Sequence, residues 1–372
     1  MRKSSASPAK RSDAAYGRPV VSAVAAPGLR RPAELIEAGL VSADRLTELE
    51  QVAERYALAI TPAMADLIDP SNRADPIARQ FVPTAAELHH LLEESGDPIG
   101  DRVHMPVKGI VHRYPDRVLL KPSHVCPVYC RFCFRREMVG PGGEALSPAE
   151  LDAAYDYIRA HPAIFEVVVT GGDPLMLSPR RLAAMVATLS AIPHLGVIRF
   201  HTRVPIVAPE RIDEALLAAL ESEKGLFVVL HANHPRELTA AAAAAIRRLN
   251  RAGIALLSQS VLLKGVNDDS ATLEQLLRRL VTLRVKPYHL NQGDLAPGTS
   301  HFRTTIEAGQ AVIAALRGRV SGLCQPTYVL DLPGGHGKVP IGPSYLRRTE
   351  DGDAWLVTDY QGVTHRYPTL TD

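Results

Sequence analysis

The hydrophobic and polar positions of this chain follow two different patterns, one before and one after about residue 110. From Pro32 to Asp101, apolar residues recur three or four positions apart in short segments with Pro or Asp at the joints, which is typical of helices. Beyond that point the chain contains six short apolar runs rich in β-branched residues: Arg117–Lys121, Phe165–Thr170, Val197–His201, Leu226–His231, Ala255–Ser260 and Val285–Leu290. These runs predict strands.

Each predicted strand is followed, after a short loop, by a helical stretch. The clearest of these stretches open near a Ser, Thr or Pro: Ser147–Ala160, Ser178–Ser190, Pro209–Glu221, Pro235–Arg251, Ser270–Leu283 and Thr304–Arg317. Strands that alternate with helices of this length join through right-handed crossovers into a parallel sheet. The sequence therefore predicts an α/β fold, an open or partial (β/α)6 barrel preceded by a helical N-terminal region.

Polar residues stand at the C-terminal end of every predicted strand. The first strand leads into a cluster of cysteines, and the others end in Thr170–Asp173, His201–Arg203, His231–His234, Ser258–Ser260 and Asn291–Asp294. Parallel barrels build their active sites at these strand ends. Loops that are merely polar would account for one or two of these coincidences but not for six, so we expect one shared site.

Composition and charge narrow the classes of protein. The formal net charge is +2, no apolar run reaches the ~20 residues of a membrane span, and no signal peptide opens the chain. These features argue against nucleic-acid or membrane binding and favour a cytoplasmic protein.

Residues 1–30 predict a disordered tail, with a transit peptide as the alternative. We assign residues 31–110 to the helical region, 111–320 to the barrel and 321–372 to a C-terminal segment.

Three of the four cysteines lie in one short loop after the first predicted strand. Cys126, Cys130 and Cys133 form a C-x3-C-x2-C pattern, which is too tight for an ordinary disulfide framework and indicates metal binding. Three thiolates can hold three irons of a four-iron cluster and leave the fourth iron open to a small molecule. The alternative is a structural zinc site, for which Cys324 or His124 would supply a fourth ligand.

A second candidate cofactor residue lies beyond the barrel, in a glycine-rich loop. The loop runs from Asp331 through Gly-Gly-His-Gly to Lys338. Such a lysine is compatible with an ordinary surface position. It also fits a lysine that forms a Schiff base with pyridoxal phosphate, held on a loop whose glycines permit unusual backbone angles.

Together these motifs resemble the lysine 2,3-aminomutase family of radical S-adenosylmethionine enzymes. The resemblance runs from about His112 to Pro343 and rests on these stretches: His112–Arg117, the cysteine loop with Phe134–Arg136, Thr170–Asp173, His231–Pro235, Gln259–Asp268, Ser300–Thr304 and the loop ending at Lys338. It implies a radical-SAM barrel with a [4Fe-4S] cluster on the three cysteines, S-adenosylmethionine on the open iron, and pyridoxal phosphate. It also implies cofactor contacts from the strand ends, by Gly171, Gly172, Asp173, Arg203, His231 and Gln259.

For pyridoxal phosphate, the resemblance implies a catalytic Lys338 that binds the cofactor covalently. Arg113 and Arg117 would bind its phosphate, since guanidinium groups pair well with phosphate oxygens, and Tyr114 would line its ring. The alternative for the two arginines is ion pairing with Asp116.

For the substrate, the resemblance assigns Arg135 to the α-carboxylate and both Asp294 and Asp331 to the distal ammonium group of lysine. A cationic tail in a partly desolvated site needs counter-charge, and two carboxylates supply it. An enzyme acting on glutamate should carry basic or neutral groups at these positions.

The implied activity is the interconversion of L-lysine and β-lysine. The resemblance also implies that an electron donor such as flavodoxin or ferredoxin reduces the enzyme, and that the enzyme is a homo-oligomer. Phe132 and the lack of further C-terminal cysteines also resemble the branch that makes β-lysine for elongation factor P, although the retained Asp331 favours free L-lysine. Two alternatives stay open: an aminomutase for another amino acid, and a zinc-stabilised binding protein without catalysis.

Overall fold

The helical N-terminal region precedes the barrel in the computed structural model, which describes residues 28–140 and 145–369. The predicted tail lies almost wholly outside the described residues. The helices of this region are α1 (Pro32–Glu37), α2 (Leu46–Arg55), α3 (Pro62–Ala65) and α4 (Pro76–Phe81). Asp75 caps α4, because its carboxylate accepts the backbone N–H groups of Ile77 and Ala78. Buried Leu49 and Val52 anchor α2 on the core.

One mixed sheet forms the centre of the molecule. Its strands are β1 (Ile110–Tyr114), β2 (Arg117–Ser123), β3 (Glu166–Gly171), β4 (Val197–Thr202), β5 (Gly225–His231), β6 (Ala255–Val261), β7 (Lys286–Asn291), β8 (Thr327–Leu332) and β9 (Gly337–Pro340). They are hydrogen-bonded in chain order, parallel from β2 to β8, with β1 and β9 antiparallel at the two edges. The predicted partial barrel is confirmed. The parallel strand β8 was not among the six predicted.

Helices cover the outer face of the sheet. They are α5 (Pro148–Arg159), α6 (Pro179–Ser190), α7 (Val204–Val207), α8 (Glu214–Ala219), α9 (Ala240–Arg251), α10 (Ser270–Thr282) and α11 (Ile306–Leu316). Most begin at a capping side chain that accepts a backbone N–H of the first turn: Ser147, Ser178, Asp213, Thr239, Asp269 and Thr305. The apolar faces of these helices and the outward strand residues form the main core.

The register of the strands brings the predicted polar residues together. His231 on β5 is paired with Gln259 on β6, which is in turn paired with His289 on β7. Along β4, Ile198 and Phe200 are fully buried, whereas the intervening side chains are only partly buried. Side chains alternate between the two faces of a strand. The barrel lumen is therefore polar at the C-terminal ends of its strands.

The C-terminal segment adds a small antiparallel sheet, which was not predicted. It consists of β10 (Leu346–Arg348), β11 (Ala354–Thr358) and β12 (Thr364–Pro368). Across the described ranges, no helix is long and apolar enough to cross a membrane.

Candidate active site

The cysteine loop leaves the end of β2 and is held by the end of β3. The backbone N–H groups of Gly172 and Asp173 donate to the carbonyls of Ser123 and Val125 at 2.7 and 2.9 Å. A Cβ atom on Gly172 would lie 2.5 Å from the Val125 oxygen, so only glycine permits this approach. Gly171 beside it adopts a φ of +111°. The Gly-Gly pair thus fixes the loop by direct backbone contact.

The side chain of Asp173 links the loop after β3 to the end of β4. Its carboxylate accepts the Thr202 hydroxyl at 2.7 Å, the backbone N–H of Arg203 at 2.7 Å and that of Val204 at 3.2 Å. It also accepts the N–H of Leu175 at 3.1 Å. Because its oxygens are occupied by protein donors, Asp173 acts on the site through the β3 and β4 loops that it joins.

The three loop thiols influence one another electrostatically. Burial raises the pKa of Cys133 to about 11, and the neighbouring Cys130 reinforces the shift. Burial also raises the pKa of Cys126 well above its usual value, with Asp173 and the other two thiols acting in the same direction. Within residues 28–140 and 145–369, no three Cys, His, Asp or Glu side chains are grouped so as to share one metal ion.

The donor set of this loop fits an iron–sulfur cluster. Three partly exposed thiols lie on one short loop, and the guanidinium group of Arg203 donates to Cys130 Sγ at 2.8 Å. Cys324 is buried near the start of β7, where Lys286 donates to the carbonyls of Leu323 and Gln325. That is the opposite end of the barrel, so Cys324 does not complete a zinc site with the loop.

The lumen above the cysteine loop offers unpaired imidazole nitrogens. Nε2 of His231 and Nε2 of His201 are buried and lack a hydrogen-bond partner among the described residues. Burial lowers the pKa of His231 to about 3, helped by the charge of Arg203, so the ring is neutral. The His231 ring also lies beside Phe132, with 5.7 Å between ring centroids. Buried polar atoms of this kind fit a polar ligand in the lumen.

Lys338 stands on β9 directly opposite Asp331 on β8. Its ammonium donates to Asp331 Oδ2 at 2.8 Å and to Asn291 Oδ1 at 3.2 Å. Its backbone N–H donates to the Tyr114 hydroxyl at 2.7 Å, which ties β9 to β1 across the open side of the barrel. Arg113 donates to the other oxygen of Asp331 at 3.2 Å. The structure thus brings four predicted residues, Lys338, Asp331, Tyr114 and Arg113, into one cluster.

Asp294 faces this cluster from the loop after β7. Burial raises the pKa of Asp294 to about 7; the charge of Lys338 opposes the shift and that of Asp331 reinforces it. Burial likewise lowers the pKa of His289 to about 4, with the Lys338 charge in the same direction. Two carboxylates therefore lie at the Lys338 end of the lumen.

Arg117 lies at the edge of this cluster and reaches it through the ring of Tyr114. Its guanidinium lies 3.8 Å from the ring centroid of Tyr114 and donates to Asp116 at 2.7 Å. This is the ion pair considered as the alternative for that arginine.

The sequence did not reveal Asp101, a fully buried carboxylate in the centre of the site. Its carboxylate forms ion pairs with Arg135 at 3.0 Å, with Lys121 at 3.2 Å and with Arg113 at 3.3 Å. Burial alone would raise the pKa of Asp101, but the charges of Arg135 and Lys121 outweigh it and lower the pKa to about 2. No local motif surrounds Asp101, so only the fold exposes its role.

Three further polar side chains around the cysteine loop were also missed. Gln80 on α4 and Glu237 after β5 both accept hydrogen bonds from Arg203, at 2.7 and 2.6 Å. Glu87 pairs with Arg131, which lies between two of the cysteines, and with Arg136. The helical N-terminal region therefore supplies Gln80 and Glu87 as partners of these arginines, whereas Glu237 comes from the barrel.

Comparisons with known proteins agree with this geometry. The chain matches the Radical SAM superfamily model over residues 120–278 and the Lysine-2,3-aminomutase model over residues 313–372. It is 40% identical over 317 residues to the L-lysine 2,3-aminomutase of Clostridium subterminale, covering 85% of this chain and 76% of that protein. It is 37% identical over 298 residues to the glutamate 2,3-aminomutase of Clostridioides difficile, covering 80% of this chain and 70% of that protein.

Among solved structures, a radical SAM methyltransferase from Sphaerobacter thermophilus aligns with a TM-score of 0.44 and 26% identity, over 59% of this chain and 68% of that one. The superfamily model and the relatives of about 40% identity, together with the cysteine loop, identify a radical S-adenosylmethionine enzyme. Within that superfamily, the chain belongs to the lysine 2,3-aminomutase family. The predicted cofactors are thereby confirmed: a [4Fe-4S] cluster, S-adenosylmethionine and pyridoxal phosphate.

Proposed function

We propose that this enzyme interconverts L-lysine and β-lysine by moving the amino group between the α- and β-carbons. The observation that carries the proposal is the pair of carboxylates, Asp294 and Asp331, at the Lys338 end of the lumen. A lysine ammonium placed there would take over the position next to Asp331 that Lys338 leaves when it binds the cofactor, and it would gain Asp294 as a second counter-charge. A glutamate carboxylate placed there would instead face two groups of its own sign.

The cofactors would be divided between the two ends of the lumen. Cys126, Cys130 and Cys133 would hold the cluster, and the strand ends with His231 and Gln259 would face S-adenosylmethionine. Lys338 would bind pyridoxal phosphate, beside Tyr114. Together the bound cofactors supply a carbon radical that abstracts hydrogen and a ring that delocalises an unpaired electron. We further propose an external one-electron carrier, such as a flavodoxin or ferredoxin, as the reductant.

The protein's own groups would orient the substrate between these ends. Arg135 donates two hydrogen bonds to Asp101, at 3.0 and 3.1 Å, which fix the position of its guanidinium group. Its remaining nitrogen would then bind the substrate α-carboxylate. Asp331 is already aligned by Arg113. Fixed donors and acceptors reduce the entropy lost when the substrate is positioned for reaction.

A strap, defined as residues 94–104, would exclude water and oxygen from the open side of the barrel. Its Ser95 N–H donates to the Leu295 carbonyl at 2.9 Å, and His104 contacts the Gly335 carbonyl at 3.0 Å. Gly100 packs so closely on Gly335 that a Cβ there would lie 2.5 Å from its nitrogen. The strap thus crosses from the loop after β7 to the glycine loop before β9.

The proposal is tested by anaerobic reconstitution with iron, sulfide and pyridoxal phosphate. S-adenosylmethionine, dithionite and L-lysine are then added, and β-lysine is measured by chiral derivatisation and mass spectrometry. We expect β-lysine from the parent and none from Lys338→Ala. Accumulation of 5′-deoxyadenosine without β-lysine would leave the radical chemistry standing and refute the substrate.

A further inference from the structure

We propose that Arg203, held in place by Glu237 and Gln80, sets the reduction potential of the iron–sulfur cluster through its hydrogen bond to Cys130. The inference rests on the cysteine loop holding the family's [4Fe-4S] cluster, but not on which amino acid is the substrate. It gives Arg203 a role directed at the cluster, in addition to the contact with S-adenosylmethionine expected from the sequence.

Arg203 is placed to act on one cluster ligand. It follows β4 directly and is almost fully buried. Its Nη1 donates to Cys130 Sγ at 2.8 Å, and its guanidinium carbon lies 4.7 Å from the ring centroid of Phe81 and 5.4 Å from that of Phe132. The aromatic rings exclude water, so the arginine charge is weakly screened at the sulfur.

The orientation of Arg203 is fixed from two other elements. Nη2 donates to Glu237 at 2.6 Å and to Gln80 at 2.7 Å, while the Gln80 amide donates to Glu237 at 3.0 Å. Glu237 also accepts the backbone N–H groups of Asn233 and His234, at 3.0 and 2.9 Å. Both Glu237 and Gln80 are fully buried. The guanidinium therefore cannot turn away from Cys130 without breaking buried bonds.

The electrostatic consequence has a definite sign. Reduction of the cluster from the 2+ to the 1+ state adds one electron, whose charge is shared by the iron, sulfide and cysteine sulfurs. A cationic donor at one sulfur stabilises the reduced state and raises the potential. The Glu237 carboxylate, on the far side of the guanidinium, opposes this effect. The potential is therefore set by the balance between Arg203 and Glu237.

The test is a redox titration followed by electron paramagnetic resonance. The full chain is reconstituted anaerobically and titrated with dithionite in the presence of mediators, without any amino acid. We expect Arg203→Gln to shift the midpoint potential to more negative values and Arg203→Lys to shift it less. Glu237→Gln should shift it to more positive values. Arg236→Gln is the matched control, because Arg236 pairs with Asp75 and, within the described part of the chain, donates to no cysteine; it should keep the parental potential.

Shifts of opposite sign for Arg203→Gln and Glu237→Gln support the proposal, since a merely structural role predicts no such reversal. Unchanged potentials, or shifts of the same sign, overturn it. If Arg203→Gln fails to hold iron, Glu237→Gln decides, and an unchanged potential there refutes the idea. Failure of the lysine assignment alone would leave the titration unaffected, so the two claims fail separately.

Discussion

Recognition of the substrate ammonium by Asp294 should depend on pH near neutrality. The lysine tail binds best when Asp294 is ionised, and burial holds the pKa of this carboxyl at about 7 against the opposing charge of Lys338. With that pKa, about 1 in 11 carboxyls is ionised at pH 6 and about 10 in 11 at pH 8. The contribution of Asp294 to kcat/KM should therefore rise about tenfold over this interval.

The perturbation is Asp294→Asn, which removes the charge at every pH. Loss of one partner of a buried charge pair costs about 3 kcal/mol, which is about 10²-fold in kcat/KM at pH 8. At pH 6, where most parental enzyme already carries a protonated Asp294, the loss should shrink to about tenfold. Burial keeps the pKa values of His231 and His289 at about 3 and 4, so neither ring titrates in this range.

The assay is the rate of β-lysine formation at subsaturating L-lysine, measured from pH 6 to pH 8 for the parent and the variant. The ratio of the two kcat/KM values is the quantity to plot, because ionisation of lysine itself cancels in it. Asp66→Asn, at an exposed aspartate following α3, is the control and should match the parent. A ratio that stays constant across this pH range would show that ionisation of Asp294 does not control binding of the substrate ammonium.

Three further predictions concern other parts of the site. Lys338→Ala should lose the pyridoxal absorbance that survives gel filtration while keeping its iron; retained absorbance would contradict the assignment. Gly172→Ala should destabilise the loop by about 2 kcal/mol, because its Cβ would meet the Val125 carbonyl, and should lower the iron content on reconstitution. Asp101→Asn should lower the free energy of unfolding of the apoprotein by about 2 kcal/mol at pH 7, since its pKa falls from 3.8 to about 2 on folding. That contribution is present above pH 3.8 and lost as pH falls through about 2, so urea denaturation should show the parent and variant converging at acid pH.

The barrel strands could be predicted because buried apolar residues dominate their sequences. The run Val197–His201 became β4 (Val197–Thr202), and Ala255–Ser260 became β6 (Ala255–Val261). Strand β8 was missed as part of the barrel because the chain turns back into β9 after it, where a helix would follow another strand. The small sheet was missed because strands such as β12, exposed along its whole length, carry no apolar alternation.

The site could be predicted where its residues follow the strands, and not where they arrive from elsewhere. Cys126, His231 and Asp294 stand at strand ends, so parallel topology alone brings them together. Asp101 and Gln80 come from the helical N-terminal region, and Gln80 meets Arg203 across 123 residues of sequence. Both contact cations supplied by the barrel, and no local sequence pattern indicates a partner that is so distant along the chain.

The assignment of lysine as substrate is tested most directly by competition within a single reaction. Equal concentrations of L-lysine and L-glutamate are given to the anaerobically reconstituted enzyme, and both β-amino acids are measured by mass spectrometry. We expect β-lysine with little β-glutamate, because Asp294 and Asp331 attract an ammonium and repel a carboxylate. Preferential formation of β-glutamate would contradict it.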